Sequence, residues 1–343
     1  MLRPIWDAAW ILTNTIMVLL LTSDGDYTTD LIQDWLCYFK HPYIQITTAQ
    51  LFEQGFDMSI SPDGTNLFIE GQSVPKVKIG SILYRKFGFF RNTNTYKALL
   101  ESHQVDEPRL AHLNAEFNKV RGAFLSEFEE CAWLPNPMYC DPNKYNVLKI
   151  AVKCGLIIPE TRIVNDKKDL TTDGSWITKS IYNPIIANWG NENKSMMYTV
   201  PIKSEDNDSI PDSFFPSLVQ RRIDKDYEIR VFYLDGLFFS MGIFSQEDSQ
   251  TVEDFRDYNW NNPNRFVPIR LPHYLTSCLY NLMNRLHLNT GSIDLIRDKS
   301  GNYVFLEVNP TGQFGMIDFP CNYGIHKKMA EWLIKHDLRY GQN

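Results

Sequence analysis

Two short apolar segments near the end of the chain contain three oxygen-bearing side chains that a β-hairpin would bring together. Residues 291–296 contain Asp294. Residues 304–310 contain Glu307 and Asn309. Between the two segments, residues 298–302 are Asp, Lys, Ser, Gly and Asn, a composition that reverses a chain. The pattern therefore predicts two antiparallel strands joined by a turn.

In such a hairpin Asp294 and Glu307 are cross-strand partners. Side chains along a strand repeat every two residues, so Glu307 and Asn309 project from the same face. Two carboxylates and an amide oxygen suit Mg²⁺, which takes oxygen ligands and usually shares them with phosphates. The alternative is a hairpin that simply bears carboxylates at its edge. A Glu in an apolar run would be costly to bury without a cation or a hydrogen-bonding partner, which favours the metal site.

Composition sets broad limits on the rest of the chain. With 343 residues it can form two or three compact lobes. A formal charge of −7 gives no general case for nucleic-acid binding. The six cysteines are scattered without a C-x-x-C pair, which is typical of reduced thiols in a cytoplasmic enzyme and not of a disulfide scaffold or a zinc site.

The N-terminal region is apolar over residues 8–21, but this run is too short for a membrane span. A signal peptide is one interpretation. We favour another, in which residues 17–22 form the first buried strand of an α/β lobe and residues 1–16 are an extension. No membrane association is therefore expected.

Apolar periodicity and turn-forming residues divide the remainder into three parts. Within the first part, residues 29–39 and 94–133 are predicted to be helical, and 66–72 with 77–84 to form a hairpin. The predicted domains are residues 17–136, an N-terminal α/β domain; 143–216, a central subdomain with a long polar loop; and 217–337, a C-terminal subdomain.

Several charged residues occupy positions where burial would require a partner. Lys179 lies within a short, otherwise uncharged strand, so an anion should face it, either a protein carboxylate or a bound phosphate. Lys144 begins a predicted helix, where it is either a solvated charge or a second phosphate ligand. Glu228 and Arg230 share one face of an alternating strand and could equally form a surface ion pair.

Motifs of other enzyme classes are missing from the sequence. It has no G-x-S-x-G nucleophile elbow and no Walker A loop, which disfavours a serine hydrolase and a P-loop enzyme. The turn after the first predicted strand also lacks G-x-G-x-x-G, which argues against a dinucleotide-dependent oxidoreductase.

Taken together, these residues resemble the ATP-grasp superfamily of ATP-dependent carboxylate–amine ligases. The more specific resemblance is to the graspetide peptide maturases, the microviridin-type and "grasp-with-spasm" ligases, over most of residues 17–337. The segments that support it are 84–86, 227–233, 244–246, 254–256, 288–294 and 309–315.

The resemblance implies an α/β (α+β) ATP-grasp fold with an N-terminal lobe, a central lid subdomain and a C-terminal metal-binding subdomain. It implies ATP and Mg²⁺ as cofactors. Asp294, Glu307 and Asn309 would be metal ligands, and Arg230 and Arg256 catalytic. The nucleotide would be bound by Lys144, Lys179, Gln220, Arg221, Ile223 and Glu228. Family members often have an acidic residue where Arg221 stands, so adenine recognition here would depend on the backbone.

The implied activity is a ligase that activates Asp or Glu side chains of a ribosomal precursor peptide as acyl phosphates. Thr, Ser or Lys side chains would then form ω-ester or ω-amide crosslinks. The expected partner is the precursor peptide, leader plus core, and a homodimer is possible. Two alternatives remain open. One is a RimK- or glutathione-synthetase-like ligase acting on a small amino acid or a protein C-terminus, and the other is a non-catalytic ATP- or peptide-binding module.

Overall fold

The computed structural model describes residues 16–340, except 54, 103–104, 183–185, 190–192, 197–198, 247–258 and 260. The chain divides into two compact units. One comprises residues 1–137 and 324–343, and the other residues 138–323. Of the predicted extension, only residue 16 lies within the described part.

The first unit is built on a four-stranded parallel sheet in the order β2-β1-β6-β7, accompanied by a small antiparallel sheet of β3, β4 and β5. Its elements in chain order are β1 (Met17–Thr22), α1 (Tyr27–Tyr38), β2 (Tyr43–Thr47), α2 (Thr48–Glu53), β3 (Phe56–Ser61), β4 (Gly64–Ile69), β5 (Gln72–Ser73), β6 (Ile79–Tyr84), α3 (Asn94–Ser102), α4 (Glu107–Ser126) and β7 (Ala132–Leu134).

Strand β1 has the bounds that the sequence predicts. All six of its residues are buried, as expected of a parallel strand covered on both faces. The helix predicted at 29–39 is α1, which begins two residues earlier. The single helix predicted over 94–133 is instead two helices followed by β7.

The hairpin predicted from residues 66–72 and 77–84 is wrong. Strand β4 pairs with β3, and β6 pairs in parallel with β1 and β7. Both segments are apolar and flank turn residues, so local pattern cannot tell a hairpin partner from a strand that joins a distant sheet.

The second unit contains a four-stranded sheet, β12-β9-β13-β8, a five-stranded antiparallel sheet, β16-β15-β14-β17-β18, and the separate hairpin β10-β11. Its elements are α5 (Lys144–Lys153), β8 (Thr161–Asp166), β9 (Trp176–Lys179), β10 (Ile186–Trp189), β11 (Asn193–Met196), β12 (Val200–Pro201), β13 (Ser213–Arg221), β14 (Lys225–Leu234), β15 (Leu237–Phe244), β16 (Arg265–Ile269), α6 (His273–Arg285), β17 (Thr290–Asp298), β18 (Tyr303–Asn309) and α7 (Gly315–Cys321).

The five-stranded sheet has one apolar face and one face with polar groups. Ile229, Val231 and Ile293 point into a core that α5 and α6 cover. The alternate positions of β14, including Glu228 and Arg230, lie on the opposite face because side chains alternate along a strand. The site described below occupies that opposite face.

The C-terminal helix α8 (Ile325–Tyr340) belongs to the first unit, although the sequence analysis grouped residues 325–337 with the last subdomain. Its buried Asp337 accepts a hydrogen bond from the Gly80 backbone N–H at 3.0 Å and contacts His41 Nε2 at 2.6 Å. No helix in the described part of the chain is long and apolar enough to cross a membrane.

Candidate active site

The predicted cross-strand pair of Asp294 and Glu307 is present. Asp294 lies opposite Glu307 in the β17–β18 ladder, and Ser292 lies opposite Asn309. Directly paired residues of antiparallel strands share a face, so the three oxygen-bearing side chains project to the same side. This is the face opposite the core formed with α5 and α6.

A β-bulge makes this arrangement possible. Leu295 pairs with Phe305 and Asp294 with Glu307, so Leu306 is an extra residue on β18. In a regular ladder Glu307 would pair with Ile293, which is buried in the apolar core. The bulge therefore turns a carboxylate away from the core and onto the face that bears Asp294.

Arg230 binds Asp294 directly. The two residues are paired in the β14–β17 ladder, and Arg230 Nη1 donates to both carboxylate oxygens, at 2.5 Å to Oδ2. Both side chains are largely buried, and Arg230 Nε has no hydrogen-bond partner in the described structure. This guanidinium nitrogen is the kind of donor that a bound anion could use.

Two lysines from other elements approach Glu307. Lys144 Nζ lies 3.3 Å from Glu307 Oε2, and Lys179 Nζ lies 4.0 Å from the same atom. Lys144 is the first residue of α5 and also donates to the carbonyls of Ser180 and Tyr182. Elements separated in sequence therefore converge on one carboxylate, and the predicted anion that faces Lys179 is, in this structure, Glu307.

The donor set fits a hard cation. Asp294, Glu307 and Asn309 offer only oxygen atoms as ligands, and the Asn309 side chain is exposed. Within the described ranges no group of three His, Cys, Asp or Glu residues has metal-binding geometry. Two carboxylates with one amide suit magnesium, which completes its shell with water or phosphate, whereas structural zinc requires a closed set of four ligands.

Glu228 lies on the same sheet face and is held by two neighbours. Lys225 Nζ is 2.6 Å from its Oε1, and Ser245 Oγ donates to its Oε2 at 3.0 Å. The sequence analysis missed Lys225. The sequence does show a lysine near an acidic residue in a predicted strand. However, Lys225 and Glu228 are three residues apart, and such residues lie on opposite faces of a regular strand.

The predicted adenine segment lies at the end of β13 and just beyond it. Gln220 is buried and its Nε2 donates to Thr161 Oγ1 at 2.9 Å. Arg221 is exposed, with its guanidinium 6.0 Å from the Trp176 ring centre. The backbone N–H groups of Arg221 and Arg222 already donate to protein carbonyls. The prediction that a backbone N–H of this segment recognises adenine therefore falls on Ile223.

Two arginines follow β15 in the sequence, of which the resemblance makes Arg256 catalytic. Arg256 lies outside the described residues. Arg265 pairs with Phe244 on β15, and its guanidinium lies 5.5 Å from that ring. Because Glu228 pairs with Ile243, the neighbour of Phe244, Arg265 lies on the face opposite Glu228 and Asp294.

Two of the thiols are poorly suited to act as nucleophiles. Burial raises the pKa of Cys131 and of Cys140 to about 12, and nearby carboxylates add to the effect. A thiol with such a pKa is almost wholly protonated near neutral pH, and the thiolate is the reactive form.

Comparison with known proteins gives the fold. No protein-family model matches the chain, and no curated protein sequence does so significantly. Among solved structures, the RiPP-associated ATP-grasp ligase of Chryseobacterium gregarium, in complex with ADP and a leader and core peptide, superimposes with a TM-score of 0.78 at 20% identity, covering 94% of this chain and 97% of that one.

Two further structures agree. The macrocyclase MdnC of Microcystis aeruginosa, bound with the precursor peptide MdnA, has a TM-score of 0.75 at 21% identity and covers 93% of this chain and 99% of its own. The ATP-grasp ligase PsnB, complexed with a variant of its minimal precursor, Mg and ADP, has a TM-score of 0.73 at 17% identity, covering 93% and 98%. The α/β architecture predicted from the sequence is confirmed, and it is the ATP-grasp fold.

Proposed function

Given the ATP-grasp fold, we propose that this protein is an ATP-dependent ligase that crosslinks a ribosomal precursor peptide. It would activate Asp or Glu side chains as acyl phosphates and join them to Thr, Ser or Lys side chains. The observation that carries the proposal is the facing pair Asp294 and Glu307, contacted by cations from three elements. The structural neighbours bound to ADP and precursor peptides support the substrate class.

Each group has a role that its position supports. Asp294, Glu307 and Asn309 would hold magnesium, which neutralises phosphate charge when bound. Lys144 and Lys179 would bind the phosphates, exchanging Glu307 for phosphate oxygens as their acceptor. Catalysis of this kind consists mostly of positioning and electrostatic stabilisation, so the protein needs no nucleophile of its own.

The reaction proceeds in two transfers. An oxygen of the substrate carboxylate bonds to the γ-phosphorus while the bond to ADP breaks. The hydroxyl or amine of a second side chain then attacks the acyl carbon, loses its proton, and inorganic phosphate leaves. Arg230 would stabilise the acyl phosphate. Arg256 would also be catalytic, as the resemblance implies.

The nucleoside end would be bound by residues on β13, β14 and the segment between them. Gln220, Arg221 and Ile223 would surround the adenine, and Glu228 would accept hydrogen bonds from the ribose hydroxyls. Support comes from the burial of Gln220 on β13, which pairs with the strand of Lys179, and of Glu228 on β14, which also carries Arg230. We also propose that the protein acts in the cytoplasm. A second proposal is that it forms a homodimer, and sedimentation of the purified protein would test this oligomeric state.

The decisive experiment incubates the protein with ATP, magnesium and a short peptide rich in Thr and Asp or Glu that is encoded beside its gene. Mass spectrometry should show the loss of one water per condensation, and fragmentation would locate the bonds. Asp294→Asn is the matched control, since it removes one charge with little change of shape. An unchanged peptide with continued ATP hydrolysis would refute the peptide substrate and favour a ligase acting on a small amino acid or a protein C-terminus.

A further inference from the structure

Lys225 and Glu228 form a buried ion pair on the site face of the five-stranded sheet. The exposed fractions of the two residues are 8% and 9%. Lys225 Nζ lies 2.6 Å from Glu228 Oε1, and Ser245 Oγ binds the other carboxylate oxygen. Both oxygens of Glu228 are thus fixed by partners on either side, which sets the orientation of its carboxylate.

A second β-bulge brings the pair together. Lys225 pairs with Asp298 and Tyr227 with Arg297, so Asp226 is an extra residue on β14. In a regular strand residues three apart face opposite sides. The extra residue cancels that difference and turns Lys225 onto the face of Glu228. Bulges of this kind are common beside active sites, where they re-aim a side chain.

Fold stability alone does not explain this arrangement. Two charges lose their hydration on burial, and an apolar pair of similar size would stabilise a fold as well or better. The bulge also leaves one residue without a ladder partner. The pair lies on the face of Arg230 and Asp294, because Glu228 and Arg230 are two residues apart on one strand. Its placement is therefore suited to a ligand on that face.

We infer that Lys225 is a positioning residue, which holds the carboxylate of Glu228 in the orientation that accepts from the ribose hydroxyls of the nucleotide. This inference rests on the proposed use of ATP. An ionised carboxylate accepts up to about four hydrogen bonds, so the contacts with Lys225 and Ser245 still allow it to accept from hydroxyl groups. The neighbouring ion pair of Lys299 and Asp224, at 2.8 Å, is exposed and has no such role.

The test compares the binding of ATP with that of 2′-deoxy-ATP, in the presence of magnesium, by isothermal titration calorimetry. Hydrogen bonds to a charged group are strong enough that the wild-type protein should prefer ATP by about tenfold or more. Lys225→Met should lose most of this preference, as should Glu228→Gln. Lys225→Arg should retain it, and so should the matched control Lys299→Met.

Two results would overturn the inference. In one, the Lys225→Met protein keeps both the wild-type affinity and the wild-type preference for ATP. In the other, its affinities for ATP and 2′-deoxy-ATP fall by the same factor. The second would indicate a structural role only. If Lys225→Met does not fold, Ser245→Ala removes the smaller partner of Glu228 and must also lower the preference. A wild-type protein that binds neither nucleotide would refute the proposed function itself, and this role with it, which is a different result from the other two.

Discussion

The contact between Arg230 and Asp294 allows a quantitative test of how the site is held together. The side chains are 12% and 19% exposed, and the guanidinium donates to both carboxylate oxygens. Breaking a fully buried pair costs about 3–5 kcal/mol, whereas an exposed pair contributes at most about 1 kcal/mol. With a small remaining exposure, we expect Arg230→Met to lower the free energy of unfolding by about 2–3 kcal/mol.

Most of that loss should come from the carboxylate left behind. Asp294→Asn removes this charge. Arg230→Met should therefore lower the free energy of unfolding less in the Asp294→Asn protein than in the wild type. We expect a coupling energy of about 1–2 kcal/mol, within the range for directly contacting residues. Urea denaturation of the four proteins, followed by tryptophan fluorescence and without nucleotide, would measure it.

Arg265→Met is the matched control for this cycle. Arg265 lies on the other face of the same sheet, with its guanidinium near the ring of Phe244. A cation–π contact at an exposed site contributes about 0.5–1 kcal/mol, so its loss should be small. Two observations would refute the reasoning: strictly additive effects of the Arg230 and Asp294 substitutions, or an Arg230→Met cost no larger than that of the control.

Further predictions concern catalysis and pH. Glu307→Gln and Asp294→Asn should each slow phosphate release by about a hundredfold or more, since each removes a charge at the centre of the site. The circular dichroism spectrum should stay unchanged. Near-normal turnover would contradict the metal assignment. Burial raises the pKa of Asp337 above its ordinary value of 3.8, although His41 opposes the effect. The folded protein then holds a proton that the unfolded chain releases, so this group's contribution to stability falls as pH rises above 3.8. Thermal unfolding of wild-type and Asp337→Asn proteins across pH should differ accordingly, and parallel pH profiles would exclude this role.

Local pattern was sufficient for elements whose partners are near in sequence. The apolar run of β1 and the turn between β17 and β18 have direct physical signatures, and that turn makes the two strands antiparallel neighbours. The exact pairing of Asp294 with Glu307 depends in addition on the bulge at Leu306. The helix predicted to begin at Lys144 does begin there, and Asn143 accepts the backbone N–H of Asn146 as its N-cap.

Long-range partners and bulges were beyond such reasoning. Strand β6 joins β1 rather than β4, and α8 returns to the first unit, because apolar surfaces far apart in sequence pair by packing and not by local pattern. Lys225 was missed because the sequence gives no sign of the extra residue Asp226. Strict alternation would likewise have placed Glu307 on the same face as Phe305, which is buried in the core.

Because Leu306 is an extra residue in a bulge, β18 could lose one residue there and still present Glu307 opposite Asp294. If this residue were absent, Phe305 and Glu307 would be adjacent and could keep their partners, Leu295 and Asp294, in a regular ladder. Loss of a neighbouring residue would instead have to be absorbed by the bulge or by a shift in pairing that exchanges the faces. Related chains could therefore differ by one residue at Leu306 and still present the same carboxylates, so gaps there need not signal a lost site.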